Sequence, residues 1–171
     1  LARYATEGGH PERGEEESRA GLELLLEADL RGTRLHADLL SRLAADLIAQ
    51  RRYDEASGYL DESLAIASER WGEDCPAALT ALYRLGLIEA RRKNYAEAEA
   101  IERRVAELAR ARYGPDHLRV SDSHLRLADV LLVQEKLDEA EAAVRESLRI
   151  SESAIDTDGY YRTRCLAVLA D

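Results

Sequence analysis

Three arginines, Arg42, Arg84 and Arg126, recur at one constant step along the chain. A guanidinium is a planar, permanently charged fork that meets a carboxylate with two parallel hydrogen bonds. Three of them stacked on one face would form a ladder able to read an acidic chain. Asp38 lies four positions before Arg42, and Asp122 four before Arg126. On a helix that spacing makes internal ion pairs, so the same residues also fit a solvated, self-satisfied face. Arg84 has Thr80 at that place and lacks such a partner. Other chemistry is sparse. His10, His36, His117 and His124 are scattered, and Cys75 and Cys165 have neither metal-ligand nor disulfide-framework spacing. No Gly-rich phosphate loop follows a strand. No catalytic set, metal site or cofactor is expected.

The elements that must position these arginines are helices. Leu39, Leu40, Leu43, Leu47 and Ile48 follow three-four spacing, as do Tyr95, Ala98, Ile101, Val105 and Leu108. No segment sustains strand alternation. The pattern has a 42-residue period: Tyr53, Tyr95 and Leu137; Ala56, Ala98 and Ala140; and the pairs Leu43-Ala44, Leu85-Gly86, Leu127-Ala128 and Leu169-Ala170. The joints RWGEDCP (70–76) and RYGPDHL (112–118) mark the same step. Gly72 and Gly114 stop a helix, and Asp74 and Asp116 are expected to cap the next one.

This predicts pairs of helices, A then B: A at 35–50, 77–92, 118–134 and 160–170, B at 53–70, 95–112 and 137–154. An earlier B helix is expected at 15–30, with Ser18 in the place of Ala56, behind a widened polar loop at 7–14. Repeats would run 35–76, 77–118 and 119–159, flanked by a partial repeat at 1–34 and a truncated one at 160–171, all in one domain.

Composition agrees. Phe and Met are absent, so the core must use Leu, Ala, Ile, Val and Tyr, and only three prolines interrupt 171 residues. The net charge of −10 argues against binding nucleic acid or an anionic membrane, which need a positive surface. No membrane span or signal peptide is visible. Two reduced thiols suit a cytoplasmic protein. Leu1 in place of Met suggests a piece of a longer chain.

These motifs resemble tetratricopeptide repeats, and more closely the 42-residue version of kinesin light chains and many bacterial proteins. Tyr95-Ala96-Glu97-Ala98-Glu99 and Gly114-Pro115-Asp116-His117 match that version closely. The resemblance implies an all-α right-handed solenoid of antiparallel helix pairs, a non-catalytic scaffold, and a concave groove lined by A helices. Groove positions would be Asp38, Ser41, Arg42 and Ile48, then Thr80, Tyr83, Arg84, Leu87 and Arg91, then Asp122, Leu125, Arg126 and Asp129. Arg164 would follow on the last helix. The Asn pair that lines this groove in the subfamily is replaced by Ser41-Arg42, Tyr83-Arg84 and Leu125-Arg126, so its peptide clamp does not transfer.

The expected partner is a protein or peptide, with an acidic-hydrophobic segment suited to the groove. Two alternatives stand beside it. One is a regulatory arm of a bacterial kinase or nucleotide-switch protein. The other is self-association through an end that exposes Leu166, Val168 and Leu169. Glu102 replaces the apolar Leu60 and Val144 of the other repeats; it either faces the groove or finds an arginine such as Arg103 or Arg104, and the favoured expectation is a rotation that turns it to solvent, because a buried lone carboxylate is costly.

Overall fold

The three-four pattern becomes seven helices in the computed structural model, which describes residues 11–153 and Thr163. They are α1 Pro11–Glu27, α2 Arg34–Ala49, α3 Tyr53–Trp71, α4 Pro76–Arg91, α5 Tyr95–Tyr113, α6 Leu118–Val133 and α7 Leu137–Ser153. Among the described residues there is no strand. From α2 onward, each boundary falls within one residue of its expected place. The first helix does not. Residues 11–14, expected in a loop, form its first turn, where Pro11 needs no N–H partner and brings a preset φ. The B helices α1, α3, α5 and α7 then start at Pro11, Tyr53, Tyr95 and Leu137, one full repeat apart each time. In that register Ser18 takes the place of Leu60, not Ala56, and Gly14 takes the place of Ala56. The expected helix at 160–170, with Arg164, Leu166, Val168 and Leu169, lies outside the described residues apart from Thr163.

Both kinds of turn depend on positive φ. The A-to-B turns put Arg51, Lys93 and Glu135 at φ 64, 67 and 60. The next N–H then reaches back to the helix: Arg52 to the Leu47 carbonyl, Asn94 to Glu89 and Lys136 to Leu131, at 2.9, 2.9 and 3.0 Å. This is the Schellman arrangement, built without glycine. The B-to-A joints use Gly72 and Gly114 at φ 89 and 86. With ψ of 156 and 163, these conformations are essentially open to glycine alone.

The caps fall one residue later than expected. His117 Nδ1 accepts from the Arg119 N–H at 3.1 Å, and Cys75 Sγ accepts from the Ala78 N–H at 3.4 Å. Asp116 instead accepts from Arg149 at 2.8 Å. Thr33 caps α2 by accepting from the His36 N–H.

The chain divides into two compact units, Leu1–Ile88 and Glu89–Asp171, with the boundary in the last turn of α4. The first buries Leu43, Leu47, Leu60 and Ile88 against Ala44, Ala56 and Ala81. Small residues let the helices approach until the leucines interdigitate, and each fully buried leucine is worth about 1.5–3 kcal/mol. The second unit buries Leu125 and Val144 against Ala128 and Ala143. Each unit also hides a serine pair: Ser41 with Ser63 at 3.0 Å, and Ser121 with Ser147 at 2.8 Å. Ser63 and Ser147 stand two repeats apart, with Val105 midway, whereas their partners Ser41 and Ser121 occupy different places in the repeat.

Candidate functional site: a basic cleft in the first unit

In the first unit α2 and α4 bound an open cleft of about 340 Å³. Arg34, Asp38 and Arg42 line it from α2, and Thr80 and Arg84 from α4. Arg84 Nη1 donates to the Ser41 carbonyl at 2.8 Å, a bond that holds the side chain through a neutral acceptor. Burial lowers the Arg84 pKa, with Tyr83 and Asp46 acting in the opposite sense. Arg42 is exposed and lies 3.6 Å from Glu17 of α1, while Asp38 pairs with Arg34 at 3.8 Å. The expected Asp38–Arg42 pair is therefore replaced by two others.

Asp46 completes the cleft, and no spacing in the sequence points to it. Its place is held by Ile88 and Val130 in the other repeats. It fits because Gly14 has no side chain: a Cβ there would come within 2.6 Å of Asp46 Oδ1. Asp46 Oδ2 is buried without a hydrogen-bond partner, and burial raises the carboxyl pKa against the pull of Arg42 and Arg84.

In the second unit the equivalent arginine is consumed. Arg126 Nε donates to Glu102 at 3.2 Å, and Nη1 bonds Asp122. Glu102 is 3% exposed, which corrects the expectation that it turns to solvent. Its cation comes from a different helix, α6, which spares it the cost of lone burial. Burial still pushes its pKa up to about 7, outweighing Arg126, with Asp122 and Asp129 adding to the rise. The three arginines are thus not equivalent rungs.

Two other groove positions are turned inward. Leu125 is fully buried with Ala128 and Val144, and the Ser41 hydroxyl faces Ser63 rather than the cleft. Ile48, Tyr83 and Leu87 are half-buried, and Arg91 and Asp129 exposed.

A second polar arrangement occurs once in each unit. Glu15 of α1 accepts from Gln50 Nε2 at 2.8 Å, from Arg52 at 2.7 Å and from Arg19 at 2.9 Å. Glu99 of α5 accepts from Gln134 at 2.8 Å, Lys136 at 2.7 Å and Arg103 at 3.0 Å. Every member is displaced by two repeats. Each clasp ties a B helix to the turn of the following hairpin. The Gln50 bond is the main cause that lowers the Glu15 pKa, and Lys136 leads in holding Glu99 down at about 2. The single-repeat period averages over this alternation, which is visible in the sequence only at twice that period.

The described histidines, His36, His117 and His124, fill structural places. His36 is buried and accepts from the Gly32 N–H, and His117 stacks on Tyr113 at 4.7 Å. Burial lowers the His124 pKa. Among the described residues no group of His, Cys, Asp and Glu could hold a metal ion, and no helix is long and apolar enough to cross a membrane.

The sequence matches the tetratricopeptide repeat family over residues 35–111 and 78–153. No curated protein matches it. Among solved structures it is similar to BtubC (BKLC) from P. vanneervenii, at 20% identity and a TM-score of 0.79, covering 94% of this chain and 65% of that one. This chain therefore spans less than two thirds of that structure's length. It is also similar to two structures of a putative kinesin light chain with nearly identical TPR-like repeats from Podospora anserina. These have 16 and 18% identity and TM-scores of 0.78 and 0.70; each match covers 94% of this chain, and 76 and 85% of theirs. At such identities the likeness concerns the fold, an all-α helical repeat of kinesin-light-chain-like type. The chain belongs to the tetratricopeptide repeat family, whose scaffolds are generally non-catalytic and mediate protein–protein interaction.

Proposed function

We propose that this protein is a non-catalytic binding module that receives an acidic peptide or protein segment on the α2–α4 face of its first unit. The observation that carries this reading is Arg84. It is a half-buried guanidinium, fixed by a backbone carbonyl rather than by a carboxylate. An incoming carboxylate would gain a charge-assisted bond to a donor already partly desolvated and oriented, which lowers the cost of binding. Arg42, whose exposed pair with Glu17 can be exchanged, stands beside it to take a second acidic group, and Ala45, Pro76 and Ala77 line the cleft with apolar surface. The overall charge of −10 makes this local basic cleft selective, since the rest of the surface repels acidic chains.

The test is an array of acidic, neutral and basic peptides probed with the wild-type protein and with an Arg42→Glu/Arg84→Glu variant. Circular dichroism must first show that both fold alike. Acidic peptides retained by the wild type and lost by the variant support the reading. Equal retention by both overturns it.

A further inference from the structure

We propose that α7 carries the acceptor half of a third clasp, which docks a helical hairpin of this repeat class whose turn reads Gln-x-Lys/Arg-x-x-Glu. This face is separate from the basic cleft and does not depend on the reading given for it.

The two formed clasps define the acceptor. It is a stripe along one B helix: Pro11, Glu15 and Arg19 on α1, and Tyr95, Glu99 and Arg103 on α5. The donor turns read Gln50-Arg51-Arg52-Tyr53-Asp54-Glu55 and Gln134-Glu135-Lys136-Leu137-Asp138-Glu139. The amide and the cation converge on the carboxylate, and Gln50 and Gln134 each reach a first-turn carbonyl of the B helix as well, Pro11 and Tyr95 at 3.4 Å. The last glutamate of the turn meets the arginine of the stripe: Glu55 lies 3.6 Å from Arg19, and Glu139 2.5 Å from Arg103.

On α7 the same stripe is Leu137, Glu141 and Arg145, with Glu141 bonded to Arg145 at 2.6 Å as the other two stripes begin. What differs is cover. The side chains of Glu15 and Glu99 are 13% and 12% exposed, that of Glu141 is 48% exposed, and Leu137 is itself exposed. An open carboxylate beside an exposed leucine, with an arginine one turn on, is complementary to an amide, a cation and a carboxylate at the spacing of those turns.

The intervening repeat serves as an internal control. At residue 57 the carboxylate is replaced by serine, and at 92 and 94 the donors are replaced by arginine and asparagine. Ser57 Oγ donates to the Tyr53 carbonyl of its own helix, and Arg92 and Asn94 both turn to Glu89. Acceptor and donor changed together, as they should if they recognise each other. Glu141 has kept the acceptor.

The proposal is tested by extending the protein after Asp171 with a copy of residues 130–153, which continues the 42-residue period and supplies a Gln-x-Lys-x-x-Glu turn. The extended chain is compared with one carrying Glu141→Gln and with one whose added Gln and Lys are alanine. Hydrogen exchange across the added turn is the readout, with the original chain and its own Glu141→Gln variant as reference. Protection about tenfold stronger in the intact pairing than in either altered one is expected, the size of one charge-assisted bond. In the original chain Glu141→Gln should change nothing. An added turn that stays unprotected, or one equally protected in all three extended chains, overturns the proposal.

Discussion

Arg84 and Arg126 occupy one position of the repeat, one in each unit, and do opposite things. Below Arg84 the B helix presents Leu60, fully buried; below Arg126 the same place holds Glu102. With leucine there, the guanidinium turns to the Ser41 carbonyl and its charge faces the cleft. With glutamate there, the guanidinium is drawn into an ion pair with Glu102 and Asp122. Two places therefore decide whether the A helix offers a cation or spends it internally: Leu60 or Glu102 on the B helix, and Thr80 or Asp122 one turn earlier on the A helix itself. In a repeat scaffold the backbone is shared, and function is set by such pairwise substitutions.

The largest change should follow from removing one member of the buried pair. Arg126→Met leaves Glu102 buried and alone, which should cost about 3–5 kcal/mol at pH 8, read from urea unfolding. Glu102→Leu copies the first unit and should be neutral or stabilising, since Arg126 keeps Asp122 and a costly desolvation disappears. Equal losses in the two variants would mean that Glu102 is not the weak member. The pH dependence follows from the same residue. Burial raises the Glu102 pKa from 4.5 to about 7, so the folded state holds a proton that the unfolded state releases. The stability from this group is full below about pH 4.5 and is lost as pH rises toward 7, by up to about tenfold in the folding equilibrium per unit. Glu102→Leu should flatten that slope.

The clasps should respond with the opposite sign. Glu99 is held at about 2 by Lys136, Gln134 and Arg103, so its contribution is complete above its ordinary 4.5 and is lost as pH falls toward 2. Glu99→Gln should cost about 1–3 kcal/mol at neutral pH and remove part of the acid sensitivity, since one charged acceptor of three donors is lost. Glu15→Gln should behave alike in the first unit, where Gln50, Arg19 and Arg52 converge. A cost in only one unit would show that the double-repeat recurrence of the clasp is geometric but not energetic.

The fold is legible in the sequence almost completely, because hydrophobic period, turn glycines and the Leu-small pair are local signals that recur in each hairpin. The site is less so. Asp116 has the chemistry of a cap, but sits one residue ahead of His117, which is the cap. Glu102 reads as a surface residue because its partner is on another helix, and no spacing within α5 points to Arg126. Asp46 escapes notice because its carboxylate is accommodated by a missing side chain, that of Gly14, and the loop expected at 7–14 hides the register of that glycine. The last two are contacts between helices, and each is foreshadowed only by a departure from its counterparts: Glu102 from Leu60 and Val144, Asp46 from Ile88 and Val130.

The smallest expected effect tests whether the two units really share one backbone. Arg51 and Glu135 are equivalent turn residues with φ of 64 and 60, and opposite charges. A left-handed conformation costs a residue with a Cβ about 1–2 kcal/mol, of which the greater freedom of unfolded glycine returns roughly half. Arg51→Gly and Glu135→Gly should therefore each raise stability by about 0.5–1 kcal/mol in urea unfolding. Because the gain belongs to the backbone, it should be equal in the two units and indifferent to salt, although the charges removed differ in sign. A gain in one and a loss in the other, converging at high salt, would mean that these turns are held by side-chain electrostatics. Arg84 and Arg126 would then not stand on one shared backbone.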